Sequence, residues 1–169
     1  MIYIHAIILD FGGDIDKTLD SVQDCDTKDI ITKRRLATFE VQHLIDRNCF
    51  VTQLTGVQTI EKEINDLVGK TDSNYVFIIN SGETVDNLVT RIEKYTEKKK
   101  ISMIRPAPYG YNEEGKLDYS LNKLLVNTPT GRWLCWFGTQ SIMEKIEIQA
   151  KNEGREDLIL NSIEDLDGE

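Results

Sequence analysis

Histidine and cysteine are scarce in this chain of 169 residues: two histidines, His5 and His43, and three cysteines, Cys25, Cys49 and Cys135. The cysteines are odd in number, widely spaced and without a CxxC pair, and no zinc-ligand spacing can be assembled from them and the histidines. They read as reduced core residues of a cytosolic protein. Positive charge is also short. Twenty Lys and Arg stand against 29 Asp and Glu, a net charge of −9, which disfavours nucleic acid or an anionic membrane as partner of the whole chain. The local basic groups Lys33-Arg34-Arg35 and Lys98-Lys99-Lys100 read as solvated faces. Long apolar runs are missing too: nothing approaches the roughly 20 residues of a membrane span, and Met1-Ile2-Tyr3-Ile4 lacks the basic start of a signal peptide. What is left is ordinary for a soluble globular protein, with 40% hydrophobic and 29% charged residues, and the length suits one domain over residues 1–169.

The richest signal is Asn74-Tyr75-Val76-Phe77-Ile78-Ile79-Asn80-Ser81-Gly82-Glu83. Its apolar, β-branched and aromatic run predicts a strand buried on both faces, stopped by a polar, glycine-containing turn. In an open α/β sheet such a turn lies outside the carboxyl end of a strand, where ligands are held. Ile2 to Leu9 repeats the arrangement and ends at Asp10-Phe11-Gly12-Gly13-Asp14. Ile15, Leu19 and Val22 then mark a short helix. A second strand is expected around Ile30-Ile31, a helix over Leu36 to Ile45 and a strand over Cys49 to Thr52. Thr55 and Gln58 have capping-box spacing for a helix with a stripe of Val57, Ile60, Ile64, Leu67 and Val68, ending at Gly69.

Val85, Leu88, Val89 and Ile92 mark the next helix, and Ile101 to Ile104 another strand. Ala107 to Gly115 reads as an exposed loop. Trp133 to Phe137 is an apolar strand, Ser141 and Glu144 open a helix carrying Ile142, Ile146 and Ala150, and Glu156 to Leu166 reads as a final acidic helix. Alternation of this kind predicts a three-layer α/β/α sandwich with a mainly parallel central sheet.

Among the candidate site residues, His5 and His43 read as satisfied structural histidines, and the two tryptophans as core. Asp10-Phe11-Gly12-Gly13-Asp14 is neither a P-loop nor a GxGxxG fingerprint. Its glycines suit either close approach to a ligand or a tight turn. Asp10 and Asp14 suit a metal or a base edge, or Asp14 caps the next helix. Glu156-Asp157 would either interact with a helix dipole or supply a general base.

In order, these pieces resemble the GT-A fold of inverting family 2 glycosyltransferases, a nucleotide-diphospho-sugar transferase fold. Ile4 to Gly12 followed by Ile15-Asp16-Lys17-Thr18-Leu19-Asp20-Ser21-Val22-Gln23 is similar to the family's first strand and helix. Tyr75 to Glu83 is similar to its strand ending in a DXD motif, Trp133 to Ile146 to a later strand and helix, and Glu156-Asp157-Leu158-Ile159-Leu160 to its EDxxL acid pair. The resemblance implies Asp157 as the base, with Glu156 beside it. Asp10, Gly12, Asn80, Ser81 and Glu83 would form the cofactor-binding turn. If catalysis operates, a sugar nucleotide and a divalent metal are implied, with Glu83 or Asp10 as metal ligand. The motif departs from the family's at Asn80, a neutral carbonyl, and at Gly82, which has no side chain. No "DDGS" turn follows Ile31. Two uses follow: an active sugar-nucleotide-dependent transferase, or a framework kept for binding or assembly with protein partners in a larger complex such as a phage particle. The losses favour the second, with no metal site expected and a cytoplasmic or virion location.

Overall fold

The structure, a computed structural model, describes residues 1–106, 108–111, 117–119, 121–128, 147–148, 150–152, 154 and 159–168. Its centre is a seven-stranded sheet. Strand β1 (Ile4–Asp10) is buried at every position, and β4 (Tyr75–Asn80) at all but its last. This follows from continuous apolar runs that only a two-sided covering can accommodate. The two strands are parallel neighbours, with Ala6 opposite Phe77 and Leu9 opposite Asn80. On the other side of β1 lies β2 (Thr27–Thr32), parallel to it, and then β3 (Phe50–Gln53), parallel to β2 at the sheet's edge. Beyond β4 come β8 (Leu124–Asn127), β5 (Met103–Ile104) and β9 (Ile159–Leu160). Strand β8 runs against both its neighbours, while β5 and β9 are parallel. The sheet is therefore mainly parallel and mixed, as the alternating sequence predicts.

Helices α1 (Ile15–Ser21), α2 (Thr38–Asp46) and α4 (Leu88–Thr96) supply Leu19, Leu44, Leu88 and Ile92 to a core with Ile4, Ala6, Ile8, Phe77 and Ile79. Helix α3 (Ile60–Lys70) supplies Ile64 and Val68 to the opposite face, against Ile7, Leu9, Val76 and Ile78. Alternate residues of β1 and β4 thus serve opposite cores, which makes the three layers.

Several elements depart from expectation. Thr55 does donate its N–H to Gln58 Oε1 at 2.8 Å, but this closes a turn. Helix α3 starts later, capped by Thr59, whose hydroxyl accepts from Lys62 N. Val57 therefore lies outside the buried stripe and is fully exposed, and the helix runs through Gly69 to Lys70. Val85 is buried but precedes α4. Part of the expected loop from Ala107 to Gly115 is strand β6 (Pro108–Tyr111), which pairs with β7 (Leu117–Tyr119). Proline is tolerated as a strand's first residue, so Pro108 starts this ribbon instead of preventing it. The expected acidic helix is replaced, over Ile159–Leu160, by β9 and, over Ile163–Asp167, by a 3-10 turn. There, pairing with Met103 and Ile104 outweighs local helix propensity. The expected strand Trp133 to Phe137, the helix opening at Ser141, Cys135 and the Glu156-Asp157 pair lie outside the described residues.

Candidate ligand site at the carboxyl edge

Because β1 and β4 are adjacent and parallel, the turns that follow them emerge side by side on one edge of the sheet. Ser81 N still donates to Leu9 O at 2.8 Å, which carries the ladder one residue past β4. The Ser81 hydroxyl oxygen then accepts from Phe11 N at 3.0 Å and from Gly13 N at 3.2 Å. One side chain therefore locks the two turns together. The contact is close enough that a Cβ on Gly13 would sit 2.3 Å from Ser81 O. Gly12 and Gly82 have φ of +91° and +90°, the left-handed region where an L side chain is strained.

Helix α1 braces the second turn from below. Thr18 is fully buried, donates its hydroxyl to Glu83 O at 2.7 Å and accepts from Gly82 N at 2.8 Å. Asp14 caps the same helix, accepting from Lys17 N. Asn80 N donates to Asn122 Oδ1 at 2.9 Å, and Lys123 N to Ile78 O. These bonds bring the loop before β8 onto the same edge.

Each acid of the edge has a defined partner. Asp10 is 5% exposed. Its Oδ1 accepts from Gly12 N at 3.0 Å, and its Oδ2 accepts from the Thr32 hydroxyl and from Arg34 Nε, both at 2.8 Å. Glu83 is exposed and lies 3.6 Å from Lys123 Nζ. Alongside, a cleft of about 300 Å³ opens between α1 and α2, lined by Gly13, Asp14, Arg34, Phe39, Glu40 and His43 among others. His43 Nε2 is 2.8 Å from Asp16 Oδ1, which also accepts from Arg47. The Arg47 guanidinium, ahead of His43, holds the Asp16 carboxyl below its usual range.

A divalent cation such as Mg²⁺ or Mn²⁺ wants several anionic oxygens with free lone pairs. The β4 turn offers Asn80, Ser81, a glycine and a lysine-paired Glu83, so this donor set does not fit such an ion. Among the described residues, no group of three or more His, Cys, Asp and Glu side chains could hold a metal.

The structure thus brings together Asp10, Gly12, Asn80, Ser81 and Glu83, five residues singled out in the sequence, and does not describe Glu156 or Asp157. Sequence reasoning missed Thr18, Thr32, Arg34, Asn122 and Lys123. A usable signal existed for Thr18, a polar residue beside Leu19 on the apolar face of α1. His5 and His43 were expected to be satisfied without ligand or catalytic roles; each has an acid partner, Asp29 and Asp16, that the sequence did not point out. Cys25 and Cys49 are buried free thiols, and burial pushes the Cys25 thiol up to about 12.

By sequence the chain matches no protein-family model and no curated protein. By structure it is similar to glucosyl-3-phosphoglycerate synthase of Mycobacterium tuberculosis in complex with UDP. The TM-score is 0.59 at 14% identity, over 95% of this chain and 69% of that one. It is also similar to TarS of S. aureus in complex with UDP, with a TM-score of 0.56 at 13% identity over 78% of this chain. A third likeness is to 4-diphosphocytidyl-2C-methyl-D-erythritol synthase of Anaerococcus prevotii, TM-score 0.53 at 12% identity, over 95% of this chain and 86% of that one. The chain has a GT-A-like fold. In this GT-A-like frame, β1, α1, β2, β4 and the turn at Asn80 follow the order that the sequence resemblance implies. The match spans about half the length of the TarS chain, 48%. Among the described residues, no helix is long and apolar enough to cross a membrane.

Proposed function

We propose that this GT-A-like domain binds a ligand at the carboxyl edge of its sheet without transferring a sugar, and serves within a larger assembly. The observation that carries this reading is the state of the edge acids. Asn80 and Gly82 supply no carboxylate, Glu83 faces Lys123, and both oxygens of Asp10 are taken by Gly12, Thr32 and Arg34. A metal-assisted transfer needs free anionic ligands at this position, whereas a binding role needs only a rigid edge. The locked turns at Ser81 and Thr18 supply that rigidity. An exposed apolar surface supports the assembly role: Ile45 and Phe50 are 50% and 66% exposed. Beside them runs a groove lined by Val41, Ile45, Cys49, Phe50 and Val51, and patches of this kind mark interaction surfaces.

A sugar-transfer assay across UDP-sugars, with and without Mn²⁺, tests the reading. The expected result is no turnover. A measurable wild-type rate that falls about a hundredfold or more in Asp157→Asn would overturn it, because that exchange keeps size and removes basicity.

A further inference from the structure

The seven-stranded sheet ends at β3, whose outer side no described strand covers. Leu54 N donates to Thr32 O at 2.8 Å, with Thr32 opposite Gln53 in the parallel register. Backbone polar groups of successive strand residues point to opposite sides, so Thr52 and Leu54 turn theirs towards β2. The N–H and C=O groups of Val51 and Gln53 therefore point outward, in the plane of the sheet. Such an edge is a template for another strand, and proteins commonly blunt it with a lysine, a proline, a bulge or an inward charge. Strand β3 has none of these. Its four residues are Phe50, Val51, Thr52 and Gln53, and its register with β2 is unbroken.

The charge pattern points to the strand that fits. The chain is 29% charged, yet no Asp, Glu, Lys or Arg occurs from Asn48 to Ile60, its longest uncharged run. Across a two-fold axis a surface meets its own copy, so an acidic edge in this chain of net charge −9 would meet like charge. This edge would not. Its two ends are charged, and oppositely. Helix α2 starts beside the carboxyl end of β3, where Leu36 N donates to Gln53 Oε1 at 2.9 Å. There Lys33 and Arg35 are exposed and have no carboxylate partner among the described residues. The helix finishes beside the amino end of β3, where Cys49 N donates to Leu44 O at 3.1 Å. There Asp46 is exposed, bonded to Gln42 and without a basic partner among the described residues.

We propose that two copies of this chain join edge to edge through β3, antiparallel about a two-fold axis at Thr52. Val51 of each copy then faces Gln53 of the other, and each such pair exchanges both of its outward N–H···O=C bonds. Thr52 meets its own copy, and Phe50, 66% exposed, lies across from Leu54. These are the non-hydrogen-bonded positions, where side chains approach most closely. The antiparallel sense also carries the Lys33 and Arg35 end of each copy to the Asp46 end of the other. Ile45, 50% exposed on α2, shares a groove with Phe50 and Val51 beside the seam. The proposal rests on the assembly role given above and names the partner. A strand from another protein would use the same backbone bonds, but opposite charges at the two ends favour a copy that carries both.

Sedimentation velocity of the full chain over a concentration series, with disulfide trapping, tests this. The wild type is expected to dimerise as its concentration rises to about 0.1 mM. Phe50→Lys puts like charges on the seam and is expected to weaken the dimer by about tenfold or more. Phe50 is exposed, and circular dichroism is expected to show this variant folded. Asp46→Arg is expected to weaken the dimer by a smaller factor, about threefold, and the addition of Arg35→Asp to restore it. Thr52→Cys is expected to form an intermolecular disulfide on mild oxidation, because its copy lies directly opposite, whereas Val51→Cys and the wild type are not. A monomer at about 0.1 mM, a dimer indifferent to Phe50→Lys, a charge reversal that restores nothing, or no preference for the Thr52→Cys disulfide would each overturn the proposal. A monomer would leave the assembly role to a different protein. Sugar transfer would end the non-catalytic reading and leave the dimer standing.

Discussion

Asp29 and Asp10 are both 5% exposed, and each ties β1 to β2, yet their surroundings differ. Asp29, within β2, meets His5 of β1, whose Nε2 donates to Asp29 Oδ2 at 2.5 Å. The ring's other nitrogen is 2.9 Å from the Thr71 hydroxyl, so the histidine is enclosed by partners, and its side chain is 6% exposed. Asp10, at the end of β1, meets Arg34 from beyond β2, and that partner is 47% exposed. The first pair is closed on itself. The second is buried at the acid and open at the base, so the same bond that organises the β1 turn also presents a fixed cation to solvent. A buried carboxylate in an apolar strand is thus structural in the interior and, at the strand's carboxyl end, an anchor for a solvent-facing cation.

The sharpest way to break this contrast is to remove the interior acid. Asp29→Ala leaves His5 buried without its acceptor, and breaking a buried pair by deleting one partner typically costs about 3 kcal/mol or more. A guanidinium chloride titration is expected to show a loss of that size. A loss under about 1 kcal/mol would mean that the enclosed pair is no more structural than the open one.

Asp10→Ala comes next. It orphans Gly12 N, the Thr32 hydroxyl and Arg34 Nε, but Arg34 can turn into water, so the expected loss is about 1–2 kcal/mol. The same change releases Arg34 from its fixed place at the edge. A stability loss equal to that of Asp29→Ala would erase the distinction between closed and open pairs.

How far these features were legible in the sequence follows the range of the interactions. The β1 and β4 strands and their turns were readable because runs such as Tyr75 to Ile79 are apolar on both faces and stop at glycine. Their parallel pairing followed from that burial. Strand β8 was missed although Leu124-Leu125-Val126 is apolar, because four residues are too few for periodicity to register. Asp10 was singled out, but its partners lie 22 and 24 residues away and become visible only once the β1–β2 register places Asp10 opposite Thr32. His5 and Asp29 are polar interruptions in two otherwise apolar strands, a paired signal that could have been read. The basic turn at Lys33 reads as a solvated face when taken alone. Only the topology puts it beside the Ser81-locked turns.

The smallest expected effect belongs to a third charged group, fully on the surface, which calibrates the other two. Asp16 of α1 meets Arg47 and His43, at 2.8 Å each, and so links α1 to α2. The Arg47 hydrogen bond, then that of His43, lowers its pKa from the ordinary 3.8. A carboxylate whose folded pKa is depressed adds stability that is present above the unfolded value and lost as pH falls through the folded one. The link should therefore be intact at neutral pH and disappear below pH 3.8. Exposed pairs of this kind contribute at most about 1 kcal/mol, since water and salt screen them. Asp16→Asn should lower the melting temperature slightly at pH 7, less so in high salt, and converge with the wild type in strong acid. A gap that widens on acidification would reverse the sign of this linkage and show that Asp16 is better tolerated protonated in the folded state than in the unfolded one.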